Sequence, residues 1–249
     1  MKYKIHPIVN GTKIFDKTMM TYQYGAGESY TIPVYTWYIE GSDKKILVDT
    51  GEMQPLISKD REEAINGKIY TFEDGLKKYG LTPENIDIVI HTHLHNDHCE
   101  NDYKCTNAKF YIHEKELQRV KDPHPLDFRY LEDYIEEIEE NGQIIEVKED
   151  MEIVPGISVM NTPAHTEGGL TVLIDTEKGK AAITGFCTIL ENFNPPPEIR
   201  GMEMNSIPPG THINTYEAYD IIEKVKEVAD IIIPLHEPSF ASESSETIG

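Results

Sequence analysis

Four of the ten histidines in the chain, together with an aspartate, fall within residues 91–98, "HTHLHNDH". Imidazole nitrogen and carboxylate oxygen are donors that zinc and similar borderline divalent ions accept, at about 2.0–2.1 Å. In an extended stretch alternate residues face the same way, so His93 and His95 can address one ion. Asp97 and His98 are adjacent and diverge, which suits a second ion beside the first. One strand or helix rarely offers more than two ligands to an ion, so such a site must recruit further donors from distant segments. A lone H-x-H would say little; H-x-H-x-D-H over six residues says much more.

The elements that must carry this loop are short. "IDIVI" (86–90) has the pattern of a buried strand and runs straight into His91, which puts the histidines in the loop at a strand's C-terminal end. "YTIPVYTWYIEG" (30–41) and "KKILVDTG" (44–51) read as two strands joined by a "GSDK" turn. Residues 52–70 have no clear period and are expected to be a surface excursion. "TFEDGLKKYG" (71–80) places Phe72, Leu76 and Tyr79 on one helical face, with Thr71 as N-cap and Gly80 as the stop. Further strands are expected at 108–112, 143–148, 151–163, 170–175, 180–184 and 231–240, and helices at 129–140 and 214–230, the last with Asn214 and Glu217 spaced as a capping box. The Pro-rich segment 191–210 is too long for an idle connection. It is expected, to about residue 212, to serve either as a lid that presents Phe193, Met202, Met204 and Ile207 to an apolar substrate or as a homodimer contact.

No Gly/Ser-rich or Pro-rich linker divides the chain, so residues 1–249 are read as one α/β domain. With 39% hydrophobic and 27% charged residues, the composition is that of a soluble globular protein. A net charge of -21 repels phosphate backbones and anionic lipid headgroups, which disfavours nucleic acid and membrane surfaces and leaves a small molecule as the expected partner. The three cysteines, Cys99, Cys105 and Cys187, fit neither a disulfide scaffold nor a CxxC knuckle. With no signal-peptide pattern and no long apolar run, a cytoplasmic location is expected.

"THLHNDH", followed in order by "NTPAHTEGG" with His165 and "PLH" with His236, and preceded by "LVDTG" with Asp49, resembles the signature of the metallo-β-lactamase superfamily. Over about residues 30–240 the texture is most similar to the N-acyl homoserine lactonases, in "IPVYTWYIE", "ILVDTG", "MEIVPGISVMNTPAHTEGG" and "ENF". The resemblance implies an αββα sandwich with the site at one edge of its two sheets. It also implies one metal on His93, His95 and His165, a second on Asp97, His98 and His236, and Asp49 as the carboxylate that orients ligand imidazoles. The chain departs from that family where a bridging aspartate is usual, because "ITGFCTILENF" carries no carboxylate at Gly185, Phe186 or Cys187. Either Cys187 ligates the second ion, as in the Gly-Gly-Cys of some β-lactamases, or Gly185 occupies the aspartate's place and that ion is held by three protein donors. The tyrosine that the lactonases offer to substrate corresponds to Thr188 or a neighbour.

The chemistry implied is hydrolysis of a lactone or related carbonyl compound by hydroxide on one or two zinc ions, with iron or manganese as alternatives, and with Asp97 orienting the hydroxide and passing its proton to the leaving group. Two other readings stay open from sequence: an iron-dependent redox enzyme on the same fold, and a metal-binding protein in which the altered "GFC" segment has abolished turnover. His91 is expected to be a strand-end residue, and His6, His113, His124 and His212 to be ordinary.

Overall fold

The computed structural model describes residues 1–242 and 247–249. Its first sheet has six strands in the order β1 (Lys4–Asp16), β2 (Ser29–Glu40), β3 (Ile46–Val48), β4 (Ile88–Ile90), β5 (Lys109–His113) and β6 (Ile144–Val147). The first three pair antiparallel and the rest parallel. The second sheet is an antiparallel meander of β7 (Met151–Val154), β8 (Ile157–Asn161), β9 (Leu170–Thr176) and β10 (Gly179–Ile183), with β11 (Ile231–Ile233) added parallel to β10.

Parallel neighbours cannot be joined by a tight turn, and the crossovers supply the helices. α1 (Lys59–Ala64) and α2 (Phe72–Lys77) lie between β3 and β4, and α3 (Asn96–Cys99) lies between β4 and β5. α4 (Glu114–Lys121) and α5 (Asp133–Glu140) join β5 to β6. α6 (Leu190–Phe193), α7 (Pro197–Arg200) and the long α8 (Thr215–Val228) precede β11.

Side-chain alternation sorts the strands into layers. Tyr35, Trp37, Ile39, Ile46, Val48, Ile88 and Ile90 of the first sheet meet Ile157, Val159, Val172, Ile174 and Ile183 of the second in one core. The intervening residues Tyr38, Leu47 and Val89 face the other way, onto Phe72 and Leu76 of α2 and Ile135 and Ile138 of α5. On the far side, Met160 and Ala182 pack against Ala218, Ile221, Ile222 and Val225 of α8. The result is four layers, α/β/β/α, as the sequence resemblance implies.

Several elements differ from their expected form. β1 is not among the expected strands: His6, Thr12 and Lys13 break its apolar pattern, and a bulge between Val9 and Gly11 resets its pairing with β2. α1 interrupts the expected excursion at 52–70, and the helix expected from residue 129 begins only at Asp133. Thr71 does cap α2, accepting from the Asp74 N–H at 3.2 Å, and Asn214 caps α8 through the Tyr216 and Glu217 N–H groups. The Pro-rich segment holds two short helices, and Phe193 and Ile207 are buried.

One turn ties the first sheet to the histidine loop. After β3 the chain turns through Asp49 at φ +58° and Gly51 at φ +70°, a region where a side chain is strained. A Cβ on Gly51 would also meet the Asn10 side chain at 2.0 Å. Gly51→Ala should therefore lower stability by at least about 2 kcal/mol, read as a fall in urea midpoint; an unchanged midpoint would show that the turn is not constrained in this way.

Candidate metal centre

The loops leaving β4, β8 and β11 deliver the histidines, and the turn after β3 delivers Asp49. Donor atoms of His93, His95 and His165 lie within 4.8 Å of one another, and so do those of Asp97, His98 and His236. The five imidazoles are all buried. Such burial would be unfavourable for free polar rings, so the fate of each ring nitrogen matters.

Each ring has one nitrogen occupied. His98 Nδ1 donates to Asp49 Oδ2 at 2.8 Å, His165 Nδ1 to the Thr211 carbonyl at 2.8 Å, and His236 Nδ1 to the Pro33 carbonyl at 2.9 Å. His95 Nε2 donates to Asp127 Oδ2 at 3.1 Å. His93 Nδ1 lies 3.1 Å from Thr92 Oγ1, whose own proton goes to Asp49 Oδ2 at 2.7 Å. Fixing one nitrogen as donor leaves the other as a lone pair. His165 Nε2 and His95 Nδ1 then face each other at 3.1 Å as two acceptors with no proton to share. A tetrahedral ion with bonds of about 2.05 Å sets its donors about 3.3 Å apart, so the donor set fits a borderline divalent cation.

The electrostatics agree. Burial, and then the neighbouring imidazoles, push His93 and His165 well below the usual histidine range; burial lowers His95, and burial followed by His98 lowers His236 to about 4. These rings are neutral and available as ligands near neutral pH. His98 is the exception: burial opposes its charge, but Asp97 and Asp49 raise it. Burial works against Asp49 as an anion, yet His98 and His91 hold it down at about 2.

The sequence left His91, Cys99 and Cys187 in different degrees near the site, and the structure separates them. His91 joins neither triplet. Its Nε2 lies 2.8 Å from Asp102 Oδ2 and its Nδ1 3.4 Å from Asp49 Oδ1, so it links two buried carboxylates behind the centre. Cys99 packs beneath the loop, with Sγ near the carbonyls of Leu94 and His95.

Cys187 lines the same cavity as the two triplets, but its thiol is not among the clustered donor atoms of the second. Its Sγ packs 3.7 Å from Met20 Sδ in an apolar cluster with Ile32 and Ile189, and burial pushes the thiol up to about 12. Gly185 runs so close to Leu170 that a Cβ would lie 2.3 Å from its carbonyl carbon. Phe186 packs on Phe193, and Thr188 is fully buried, bonded to Thr184. Among the described residues the second triplet therefore has three protein donors and no bridging carboxylate. Nor do Met202, Met204, Phe193 or Ile207 wall the site. Its cavity of about 450 Å³ is lined instead by Phe15, Met19, Leu126 and Phe128, and the Pro-rich segment reaches it only through Thr211.

Sequence reading missed the residue that assembles the first triplet. Glu116 of α4 is 1% exposed and accepts from the Leu94 N–H at 2.9 Å, between His93 and His95, and from the Gly168 N–H at 3.1 Å, in the loop of His165. It also accepts from the Tyr130 hydroxyl at 2.9 Å. In "HEKELQRVK" nothing marks this acid apart from its solvated neighbours. Asp127, the partner of His95, was equally unmarked.

The family model described as "Metallo-beta-lactamase superfamily" matches residues 30–227. The chain belongs to this superfamily. An N-acyl homoserine lactonase from a Bacillus species is 28% identical over 191 residues, covering 70% of this chain and 71% of that protein. A Bacillus thuringiensis AiiA variant, solved with N-decanoyl-L-homoserine at its active site, superposes over the whole of both chains with a TM-score of 0.77 at 23% identity. An N-acyl homoserine lactone hydrolase with N-hexanoyl-L-homoserine at its catalytic metal centre gives the same score, identity and coverage. At such identities these solved structures establish the superfamily fold, and the αββα layering agrees with it.

Two outcomes follow from this geometry. Both Glu116 oxygens accept from N–H groups, so Glu116→Gln must set an amide donor against another donor. It should cost about 2–4 kcal/mol in urea unfolding and weaken zinc binding in a chelator competition; a variant with native midpoint and affinity would rule out the clamp. For the metal-free protein, His93, His165 and His236 carry folded pKa values below the unfolded value of about 6.5, so the unfolded chain binds more protons as pH falls. His91 and His98, raised by their carboxylates, are protonated in both states well below pH 6 and do not offset this. Stability should therefore drop between about pH 6 and pH 4, and a flat or rising urea midpoint in that window would contradict the assigned protonation.

Proposed function

We propose that the protein is a metal-dependent hydrolase of lactones or closely related esters. In this reading His93, His95 and His165 hold one zinc ion and Asp97, His98 and His236 hold a second, more weakly. The observation that carries it is the convergence of five buried imidazoles in two triplets, each ring with one nitrogen tied to a partner and the other turned toward its triplet. Homology to N-acyl homoserine lactonases supports the substrate class.

When bound, a divalent ion of this kind polarises a carbonyl and brings the pKa of a water to about 7. The chain's own residues do the rest. Asp97 lines the cavity and its charge is favoured by His98 and His236, so one oxygen serves as donor while the other orients the attacking water and passes its proton to the leaving alkoxide. Phe15, Met19, Leu126 and Phe128 line the cavity and offer apolar surface to the non-reacting part of the substrate. The thiols of Cys99, Cys105 and Cys187 are all free and buried, which supports a reducing compartment such as the cytoplasm.

Zinc-loaded protein should hydrolyse a simple γ-lactone, lose that activity to a chelator and regain it with Zn²⁺. Dialysis should remove the second ion before the first in a mass-spectrometric count. Asp97→Asn should lower kcat about 10²–10⁴-fold. Purified protein that contains iron and consumes oxygen, or fully metallated protein inert to lactones, thioesters and β-lactams, would overturn the reading.

A further inference from the structure

The chain carries 44 acidic side chains and only four arginines, Arg61, Arg119, Arg129 and Arg200. One of the four, Arg129, lines the metal cavity together with Lys13, and the only carboxylate in that lining is Asp97, a donor of the second triplet. Cations beside a site suited to divalent cations repel such ions unless anions offset them, so the partners of these two side chains matter. In the protein alone such anions are supplied sparingly. Lys13 pairs with Glu52 from outside the cavity. Arg129 pairs with Asp127 through Nε alone, at 2.7 Å, and the other oxygen of Asp127 is occupied by His95.

Arg129 is also tied to the metal-binding loop through its backbone. Its carbonyl accepts from the Asn96 N–H at 3.0 Å, between His95 and Asp97, so its backbone is pinned to the metal-binding loop. Its two terminal nitrogens make no hydrogen bond among the described residues, and its side chain is 32% exposed. Its charge is felt at the first triplet: after burial and the neighbouring rings, it contributes to keeping His93 and His165 neutral. An adjoining cavity of about 590 Å³ shares Leu126, Arg129, His165 and Thr211 with the first, and contains Arg119, paired with Glu167 at 3.2 Å. A guanidinium fixed at Nε with both terminal groups free presents the planar fork that matches a carboxylate.

We propose that the substrate of this site is an anionic lactone or ester, one that carries a second, unreactive carboxylate which Arg129 binds while the scissile carbonyl faces the two donor triplets. This rests on the hydrolase reading above and narrows its substrate class. The apolar wall of Phe15, Met19, Leu126 and Phe128 then covers the carbon skeleton between the two ends.

The test compares γ-butyrolactone with its γ-carboxylate derivative on zinc-loaded protein. The carboxylated lactone should have a kcat/KM at least about tenfold higher, expressed mainly in KM, and the ratio should shrink as salt is raised. Arg129→Gln should reduce that ratio about tenfold. Arg129→Lys, which keeps charge but loses the fork, should restore only part of it, and Arg200→Gln, on an exposed helix, should leave it unchanged. Zinc binding by Arg129→Gln, measured in parallel, separates a lost anion contact from a disturbed loop. If both lactones are hydrolysed equally well, or the preference survives Arg129→Gln, the inference fails and the hydrolase reading stands. If neither is hydrolysed by metallated protein, the hydrolase reading fails with it.

Discussion

One buried carboxylate organises the centre. Asp49 is fully buried, sits at positive φ, and accepts from the Thr92 N–H, the Thr92 hydroxyl and His98 Nδ1, with His91 Nδ1 close by. It orients a donor of the second triplet directly. Through Thr92 it also orients His93 of the first. A buried anion with this many donors is favourable only while all of them stay in place, because removal of a partner leaves an uncompensated charge in a dry interior. The positive φ at Asp49 is therefore tolerated as the cost of aiming its carboxylate back at the loop after β4.

The same logic repeats on a larger scale. Glu116 fastens the first loop to the loop of His165, and the carbonyls of Pro33 and Thr211 hold His236 and His165. Donors thus come from both sheets, and the two sheets can bring them together only if the core between them fixes their separation. Tyr35 makes this coupling explicit: it lies in that core and donates its hydroxyl to the Glu237 carbonyl, one residue beyond His236. Packing sets the distance between loops, and hydrogen bonds set the direction of each ring within them.

What was legible in the sequence was what repeats or clusters. Alternation in Tyr35, Trp37 and Ile39 and the apolar run before His91 gave strands, and four histidines in eight residues gave a metal loop. What was not legible depends on pairing between distant segments. β1 has Lys13 and Thr12 within it and is defined by its long register with β2, so no local pattern exposes it. Glu116 and Asp127 look like surface acids on charged stretches, and only the tertiary fold distinguishes them from their neighbours. The surroundings of Cys187 were hidden for a related reason: sequence adjacency to the expected bridging position could not reveal that the turn after β10 buries the thiol against Met20.

The chain's charge acts on two length scales that must be kept apart. A net charge of -21 repels an anionic substrate at long range, but at physiological salt that field decays over about 8 Å. Inside the cavity the nearest charges decide, and its lining holds Lys13 and Arg129 but a single carboxylate, Asp97, itself one of the second triplet's candidate donors. Anion capture at such a site gains little from steering and depends instead on a preorganised contact. Arg129 has that property because its backbone and its Nε are both fixed by residues that also fix His95. The residue that would select the substrate is thereby built into the same bonded frame as the residues that would hold the metal.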